Sequence, residues 1–287
     1  MYPSLVDPLT LLLDNTIPND HADTSQEVWL PETLRDLYGG YPRLGHGEII
    51  ANFVASLDGS VTLDASSGTG ASAISQAAPG DRFTMAILRS ISDCMLIGAT
   101  TFMDYTTNFL EAGSPFPSLG DEFLKVREHL GLPPTHRLAV ATASGRLELD
   151  HPLITGAKEP LLVLTSAAGA ARLNPCKELE VVAVSEGPPT AQQLVAAMEA
   201  RWHPRIILTE GGPSLFSQMV REGQITSLFL TIAPVLAGRG SEQRYLVDGE
   251  LSTPGNVTRG KLETLRQWQD LLLAQYRLLP GKAWSAT

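Results

Sequence analysis

The chain has 287 residues, 43% of them hydrophobic and 18% charged, and a formal net charge of −10. This is the composition of an ordinary soluble globular protein of one large domain or two small ones. The acidic balance excludes the basic face of a nucleic-acid surface, and Cys94 and Cys176 form neither a metal knuckle nor a disulfide framework.

In chain order, residues 1–45 read as an N-terminal extension. Pro3, Pro8 and Pro18 among scattered apolar residues leave residues 1–30 without a sustained period, so irregular packing or fraying is expected. The apolar run Leu9–Leu13 is short and no Lys or Arg precedes it, which makes a poor signal peptide. Nothing approaches a transmembrane length, and a cytoplasmic location is the default. Residues 31–38 suit a short helix with Leu34, Leu37 and Tyr38 on one side, stopped by Gly39-Gly40 and Pro42. Gly45-His46-Gly47 is then a linker into a main domain over residues 46–280, leaving 281–287 as a tail.

The first strand of that domain is Ile49–Ala55, ending in Ser56-Leu57-Asp58-Gly59, with a short strand Val61–Leu63 beyond the turn. Residues 66–75 form a hydroxyl-rich loop that is either surface or ligand-facing. A helix from about Asp81 to Ser92 carries Phe83, Ile87 and Ile91 on one row. Arg89 lies about 200° from Ile87 around the helix, free to reach a ligand or water. Strands Cys94–Ile97, Arg137–Ala141, Leu161–Leu164 and Leu179–Val184 follow, with a loop at Thr106–Gly120 and a helix at Asp121–Leu130. Thr190 and Gln193 form a capping-box pair that opens a helix buried along Ala191, Leu194, Val195, Met198 and Trp202. Strands Ser227–Ala233 and Leu271–Leu279 come last.

Before those last strands, Arg205-Ile206-Ile207-Leu208-Thr209-Glu210-Gly211-Gly212-Pro213-Ser214-Leu215-Phe216 reads as strand, glycine turn, helix. Pro213 suits a first helical turn. The turn either holds an anion on backbone N–H groups at the helix N-terminus or merely allows close packing. Strands alternating with helices predict an α/β fold, a mostly parallel central sheet with helices on both faces. Ligands bind such sheets beyond the carboxyl ends of the strands. Four strands end in glycine and hydroxyl clusters, at Gly98–Thr101, Thr142–Gly145, Thr165–Gly169 and Glu210–Ser214, which points to a nucleotide-type cofactor. No phosphate-loop pattern is present. No acidic residue stands ready for a ribose hydroxyl, and Thr165-Ser166 suit a 2′-phosphate, hence NADPH over NADH.

Asn52–Gly59, the triplet Ile87-Leu88-Arg89, Met95–Thr101, Thr209–Leu215 and Phe229–Gly238 resemble, in this order, the riboflavin-biosynthesis reductase domain. That domain is the C-terminal half of the bifunctional pyrimidine deaminase–reductase and also occurs as stand-alone proteins. The resemblance spans about residues 46–280 and implies a stand-alone member with a dihydrofolate-reductase-like fold and no zinc-binding deaminase half. It implies an NADPH-dependent reductase acting at the ribosyl C1′ of 5-amino-6-(5-phosphoribosylamino)uracil, with positioning carrying most of the catalysis. Cofactor contacts are implied at Ala55, Gly98, Thr100, Thr101, Thr142, Ser144, Thr165, Ser166, Gly211, Gly212, Pro213, Ser214 and Leu215. Substrate contacts are implied at Asn52, Ser72, Ser75, Arg89 and Glu210, with Glu210 and Asp58 as catalytic carboxylates and no metal. A homodimer paired through the C-terminal part of the sheet is implied, with neither nucleic acid nor membrane as partner.

Two departures stand out. Asn52 occupies a position where many members carry lysine, and residues 102–107 lack the members' Asp-Asn-Pro segment and following arginine. Two alternatives therefore stay open: the same fold and cofactor with a pterin- or dihydrofolate-type substrate, or an NADPH-binding protein without turnover.

Overall fold

Aliphatic runs alternating with amphipathic stretches produce a ten-stranded sheet flanked by helices in the computed structural model, which describes residues 6–16, 26–63, 72–104, 110–240, 243–249, 251 and 257–279. The chain begins with β1 (Thr10–Asp14), β2 (Gln26–Glu27), α1 (Glu32–Tyr38) and β3 (Arg43–Leu44). β4 (Glu48–Ser56) and β5 (Ser60–Thr62) flank the Asp58-Gly59 turn, and α2 (Ser72–Ser75) leads into α3 (Pro79–Ile91). The alternation continues with β6 (Cys94–Gly98), α4 (Ala99–Met103), α5 (Gly120–His129), β7 (Arg137–Thr142), α6 (Pro152–Thr155) and β8 (Leu161–Ser166). It proceeds through α7 (Ala167–Ala170), β9 (Leu179–Ser185), α8 (Ala191–Trp202), β10 (Ile206–Thr209) and α9 (Pro213–Arg221). β11 (Ser227–Ala233), β12 (Arg244–Tyr245) and the hairpin β13 (Arg259–Trp268) and β14 (Leu271–Leu279) follow.

The sheet order is β1-β13-β14-β11-β4-β10-β6-β7-β8-β9. From β11 to β9 the neighbours run parallel, whereas β14, β13 and β1 add antiparallel at one end. The expected mostly parallel α/β sheet is therefore present. β10 enters between β4 and β6, and the carboxyl ends of these three strands frame a crevice of the kind in which open α/β sheets bind ligands.

Alternation along each strand feeds two cores, one on each face. Met95 and Ile97 of β6 join Phe83 and Ile87 of α3 and Phe123 of α5 on one side. Leu96 joins Leu194 and Met198 of α8 and Phe216 and Met219 of α9 on the other. Each such buried Leu, Ile, Phe or Met contributes about 1.5–3 kcal/mol. The capping box of α8 forms as the spacing predicts, with Gln193 N–H donating to Thr190 Oγ1 at 3.2 Å and Thr190 N–H to Gln193 Oε1 at 3.0 Å.

The N-terminal segment departs from expectation. β1 is the outermost strand, antiparallel to β13, and the Leu9 and Asn15 N–H groups donate to Leu37 O at 2.8 Å and Glu263 O at 2.7 Å. Val6, Leu9 and Leu30 are core residues. An edge strand gains its order from its partner, and β13, with its alternating charges, carried no apolar strand signal of its own. Of the loops and tail read from sequence, residues 66–71, 106–109 and 281–287 lie outside the described residues.

Candidate active site

The glycine-turn end of the crevice is built by β10 and α9. Gly212 is the N-cap of α9 at φ −65° and Pro213 takes the first turn, so no side chain caps the helix. The Thr209 hydroxyl donates to Leu96 O at 2.8 Å and accepts the Gly211 N–H at 3.3 Å. Thr101, from the start of α4, accepts the Gly212 N–H at 3.0 Å and so ties the ends of β6 and β10 together. Thr100 is exposed, and Gly98, Thr101, Gly212 and Pro213 are half-buried, whereas Gly211 and Leu215 are buried. Ser214 is exposed and donates to Asp248 Oδ2 at 2.6 Å, while the Asp248 N–H donates to Ser217 Oγ at 2.7 Å. Asp248 is thus an acidic residue beside this helix end that sequence spacing did not reveal.

The ends of β7 and β8 give a different result from the 2′-phosphate expectation. Thr165 is fully buried and its Oγ1 has no hydrogen-bond partner. It faces the backbone of Gly169, where an added Cβ would lie 2.0 Å from that oxygen. Ser166 donates to Ala143 O at 2.8 Å and accepts the Gly169 N–H at 3.0 Å as the cap of α7. Ser166 therefore serves the turn, and Thr165 is enclosed against Gly169 away from the surface. Thr142 is buried and accepts the Gly145 N–H at 3.2 Å, and Ala55 is buried within β4. Ser144 stays exposed, with Arg172 Nη1 donating to its carbonyl at 2.7 Å and exposed Arg146 two residues on.

Among the residues expected to meet substrate, Arg89 is neither solvated nor free. It is 3% exposed and meets Glu210, 9% exposed, in a buried ion pair. Arg89 Nε donates to Oε1 at 3.1 Å and Oε2 at 3.2 Å, Nη2 to Oε2 at 2.5 Å, and Nη1 to Ser114 Oγ at 3.0 Å. Being off the apolar row places Arg89 under the end of β10 instead of in water. Behind it, Arg127 Nη1 donates to the carbonyls of Arg89 at 3.0 Å and Ser92 at 2.9 Å, fixing the last turn of α3. Burial, with Arg127 beside it, pushes His136 down to about 3, so that the ring packed on this turn is neutral.

Asn52 shares a face with Ile50 and Val54 and does not point out of the carboxyl edge. It lines a small pocket of about 10 Å³ with Tyr38, Thr84, Thr231 and Arg266, room for about one water. Ser72 opens α2 and is exposed, and Ser75 is buried beside Asp81. Asp81 was not singled out from the sequence, because an acid in the first turn of a helix ordinarily complements the dipole.

Asp58 is a latch instead of a proton donor. It accepts from Ser56 Oγ at 2.6 Å, Ala237 N–H at 3.1 Å and Gly238 N–H at 2.7 Å. The Ser56 hydroxyl above all, then the Ala237 N–H, pulls its carboxyl down to about 2 from the ordinary 3.8. Because the folded value is the lower one, the latch stabilises the fold above about pH 4 and is lost as pH falls from there toward 2. Asp58→Asn should therefore blunt acid destabilisation between about pH 4 and 2. Urea midpoints measured across that range check it, and parallel pH profiles for the two proteins would remove the latch.

An open, mostly parallel sheet with an uncapped helix N-terminus in its crevice and hydroxyl groups along its carboxyl edge is an α/β architecture whose relatives bind ligands at that edge. The sequence profile of the RibD C-terminal domain family matches residues 48–270, and the chain belongs to that family, which is of the riboflavin-biosynthesis reductase type. A comparison with curated proteins gave no match. Among solved structures, a pyrimidine reductase-like protein of Corynebacterium diphtheriae superposes with a TM-score of 0.63 at 23% identity, over 86% of this chain and 98% of that one. Acinetobacter baumannii RibD gives 0.59 at 18% identity, over 82% and 58%. The diaminohydroxyphosphoribosylaminopyrimidine deaminase/5-amino-6-(5-phosphoribosylamino)uracil reductase of Thermotoga maritima gives 0.58 at 15%, over 82% and 57%. The chain spans a little over half of these last two proteins. Such likenesses show the fold, which is dihydrofolate-reductase-like.

Among the described residues, no helix is long and apolar enough to cross a membrane.

Proposed function

We propose that the protein is an NADPH-dependent reductase that delivers hydride to the ribosyl C1′ of a phosphorylated ribosylaminopyrimidine. The observation that carries this reading is the uncapped N-terminus of α9 in the crevice of a chain matched to the reductase family over most of its length. A Cβ at Gly212 would meet only Thr101 Oγ1, at 3.3 Å, so the space in front of the backbone donors fits a pyrophosphate. The Thr101 hydroxyl and the Ser214 and Leu215 N–H groups, beside the side-chain-free Gly212 turn, would hold that group, and the nicotinamide supplies the hydride. With Thr165 and Ser166 turned inward, the 2′-phosphate falls to exposed Arg146 and Arg172 beside Ser144. The protein acts in this reading as a cytoplasmic homodimer, joined through the β1–β13–β14 end where Leu11, Leu13 and Leu272 are exposed.

The test follows NADPH oxidation by the purified chain with the ribosylaminopyrimidine phosphate and with dihydrofolate, alongside fluorescence titration of NADPH and NADH. Gly212→Val should weaken NADPH binding about tenfold or more while unfolding stays cooperative, since φ at Gly212 suits any residue. Unchanged NADPH affinity in that variant, or tighter NADH than NADPH binding in the wild type, would overturn the cofactor assignment.

A second reading is favoured by one observation. Glu210 occupies the arginine that a substrate phosphate would need. An unphosphorylated, pterin- or dihydrofolate-type substrate on the same fold and cofactor fits that pairing better. NADPH binding without oxidation in the presence of either compound would leave a cofactor-binding protein.

A further inference from the structure

We propose that Asp81 is a catalytic residue of the reduction: its carboxyl gives the proton that a substrate nitrogen takes up as hydride reaches the adjoining carbon. This rests on the reductase reading and adds the acid that none of Glu210, Asp58 or Arg89 supplies.

Asp81 lies in the first turn of α3, where an acid usually sits at the surface against the helix dipole. Here it is 5% exposed, and its carboxyl is hydrogen-bonded by the side chains of Thr231 on β11 and Ser75 on α2. Those two elements and α3 converge on the same carboxyl edge as Glu210. The position is fixed from several sides. A Cβ at Gly80 would lie 2.5 Å from Cγ of Trp268, so the start of α3 is clamped on that indole. The turn from α2 into α3 passes through Gln76 and Ala77 at φ +51° and +53°, a left-handed conformation that non-glycine residues rarely hold. The helix has no side-chain cap, and Asp81 is turned toward Ser75 and Thr231.

The charged groups facing it are Glu210 at the end of β10 and Arg82, its own neighbour on α3. Glu210 is engaged by Arg89 in a buried ion pair, with Nη2 2.5 Å from Oε2. Burial raises Asp81 above the ordinary carboxylate range, and the Glu210 charge adds to this against the two hydroxyl bonds. Two acidic side chains thereby differ in their partners, Glu210 held on a guanidinium and Asp81 on two hydroxyls.

The step balances for a C=N substrate. Hydride from a dihydronicotinamide forms the new C–H bond, and the π pair moves to nitrogen. Nitrogen takes the Asp81 proton, giving a C–N single bond. The substrate gains two electrons, the nicotinamide is left oxidised, and Asp81 is left as a carboxylate that regains a proton from water. An opened ribosylamine imine and a ring C=N of a pterin both satisfy this chemistry.

The test compares wild type with Asp81→Asn, nearly isosteric with the protonated acid, and with Asp81→Glu. Expected is a fall in kcat of about a hundred- to ten-thousandfold in Asp81→Asn, with NADPH affinity changed less than about twofold and partial recovery in Asp81→Glu. Wild-type kcat should fall as pH rises through the titration of Asp81, and this limb should vanish in Asp81→Asn. Infrared difference spectra at neutral pH, which need no turnover, should show one protonated-carboxyl stretch lost in Asp81→Asn. A kcat within about threefold of wild type, or no protonated-carboxyl band in the wild type, would overturn the assignment. If neither substrate is reduced by the wild type, the reductase reading fails on its own, and the infrared band still decides whether Asp81 holds a proton.

Discussion

Glu210→Ala is expected to destabilise the protein by about 3–5 kcal/mol and to abolish any turnover. The loss comes from what remains: Arg89, 3% exposed, would keep its charge in a desolvated position, with its bond to Ser114 but without the carboxylate that balances it. Desolvating a cation without its anion is far more costly than the pair is worth, which separates deletion of one partner from replacement of both. Arg89→Met with Glu210→Leu should accordingly recover much of the stability without recovering turnover. Glu210→Gln should fall between, because its amide keeps shape and one acceptor. Urea unfolding of the four proteins gives the comparison, and a Glu210→Ala protein within about 1 kcal/mol of wild type would show that the pair is not desolvated as described. The same pairing changes how Arg89→Ala must be read. A raised KM for a phosphorylated substrate points to a phosphate contact only if the variant is as stable as the wild type.

Gly145→Ala should be the most damaging conservative change at the carboxyl edge of the sheet. Gly145 holds φ +65°, and an added Cβ would lie 2.2 Å from the carbonyl oxygen of Gly169 and 2.7 Å from its carbon. Both sides of that contact are main chain, so no rotamer change relieves it. A left-handed alanine costs about 1–2 kcal/mol, and overpacking adds about 1–3 kcal/mol. Gly131 provides the control, since it holds φ +68° with nothing within 4 Å of its built Cβ. Gly131→Ala should show the conformational cost alone. Thermal unfolding of both variants isolates the contact, and equal midpoints would mean that the Gly145–Gly169 approach is not tight. Because this approach sets Ser144 and Arg172 relative to β8, NADPH affinity should fall with it.

Much of this architecture was legible in the residues. Aliphatic runs placed β4, β6, β7, β8, β11 and β14 within a residue or two of where they form, because a strand buried on both faces needs little more than such a run. Thr190 and Gln193 announced a helix start that depends on three residues of spacing. β1 and β13 were not legible, since each owes its order to pairing with a distant segment. Within the site, Gly211-Gly212-Pro213 gave the turn and the helix N-terminus correctly as backbone features. Ser166 misled because a hydroxyl at a strand end serves a cap and a ligand equally well, and only the approach of Gly169 decides between them; Thr165 lies buried behind it.

By itself, then, the sequence determined the α/β alternation, the glycine-marked carboxyl edge and the membership of the reductase family. These depend on local period, turn chemistry and motif order. The tertiary structure alone decided that β10 lies between β4 and β6, which brings Glu210 to Arg89 across 121 residues and turns an apparently solvated arginine into a buried ion pair. It also decided that Asp81, an ordinary first-turn acid in sequence, is enclosed by Ser75 and Thr231. Burial and charge pairing depend on which elements end up adjacent, and adjacency is set by sheet order and crossover connections that no local window encodes.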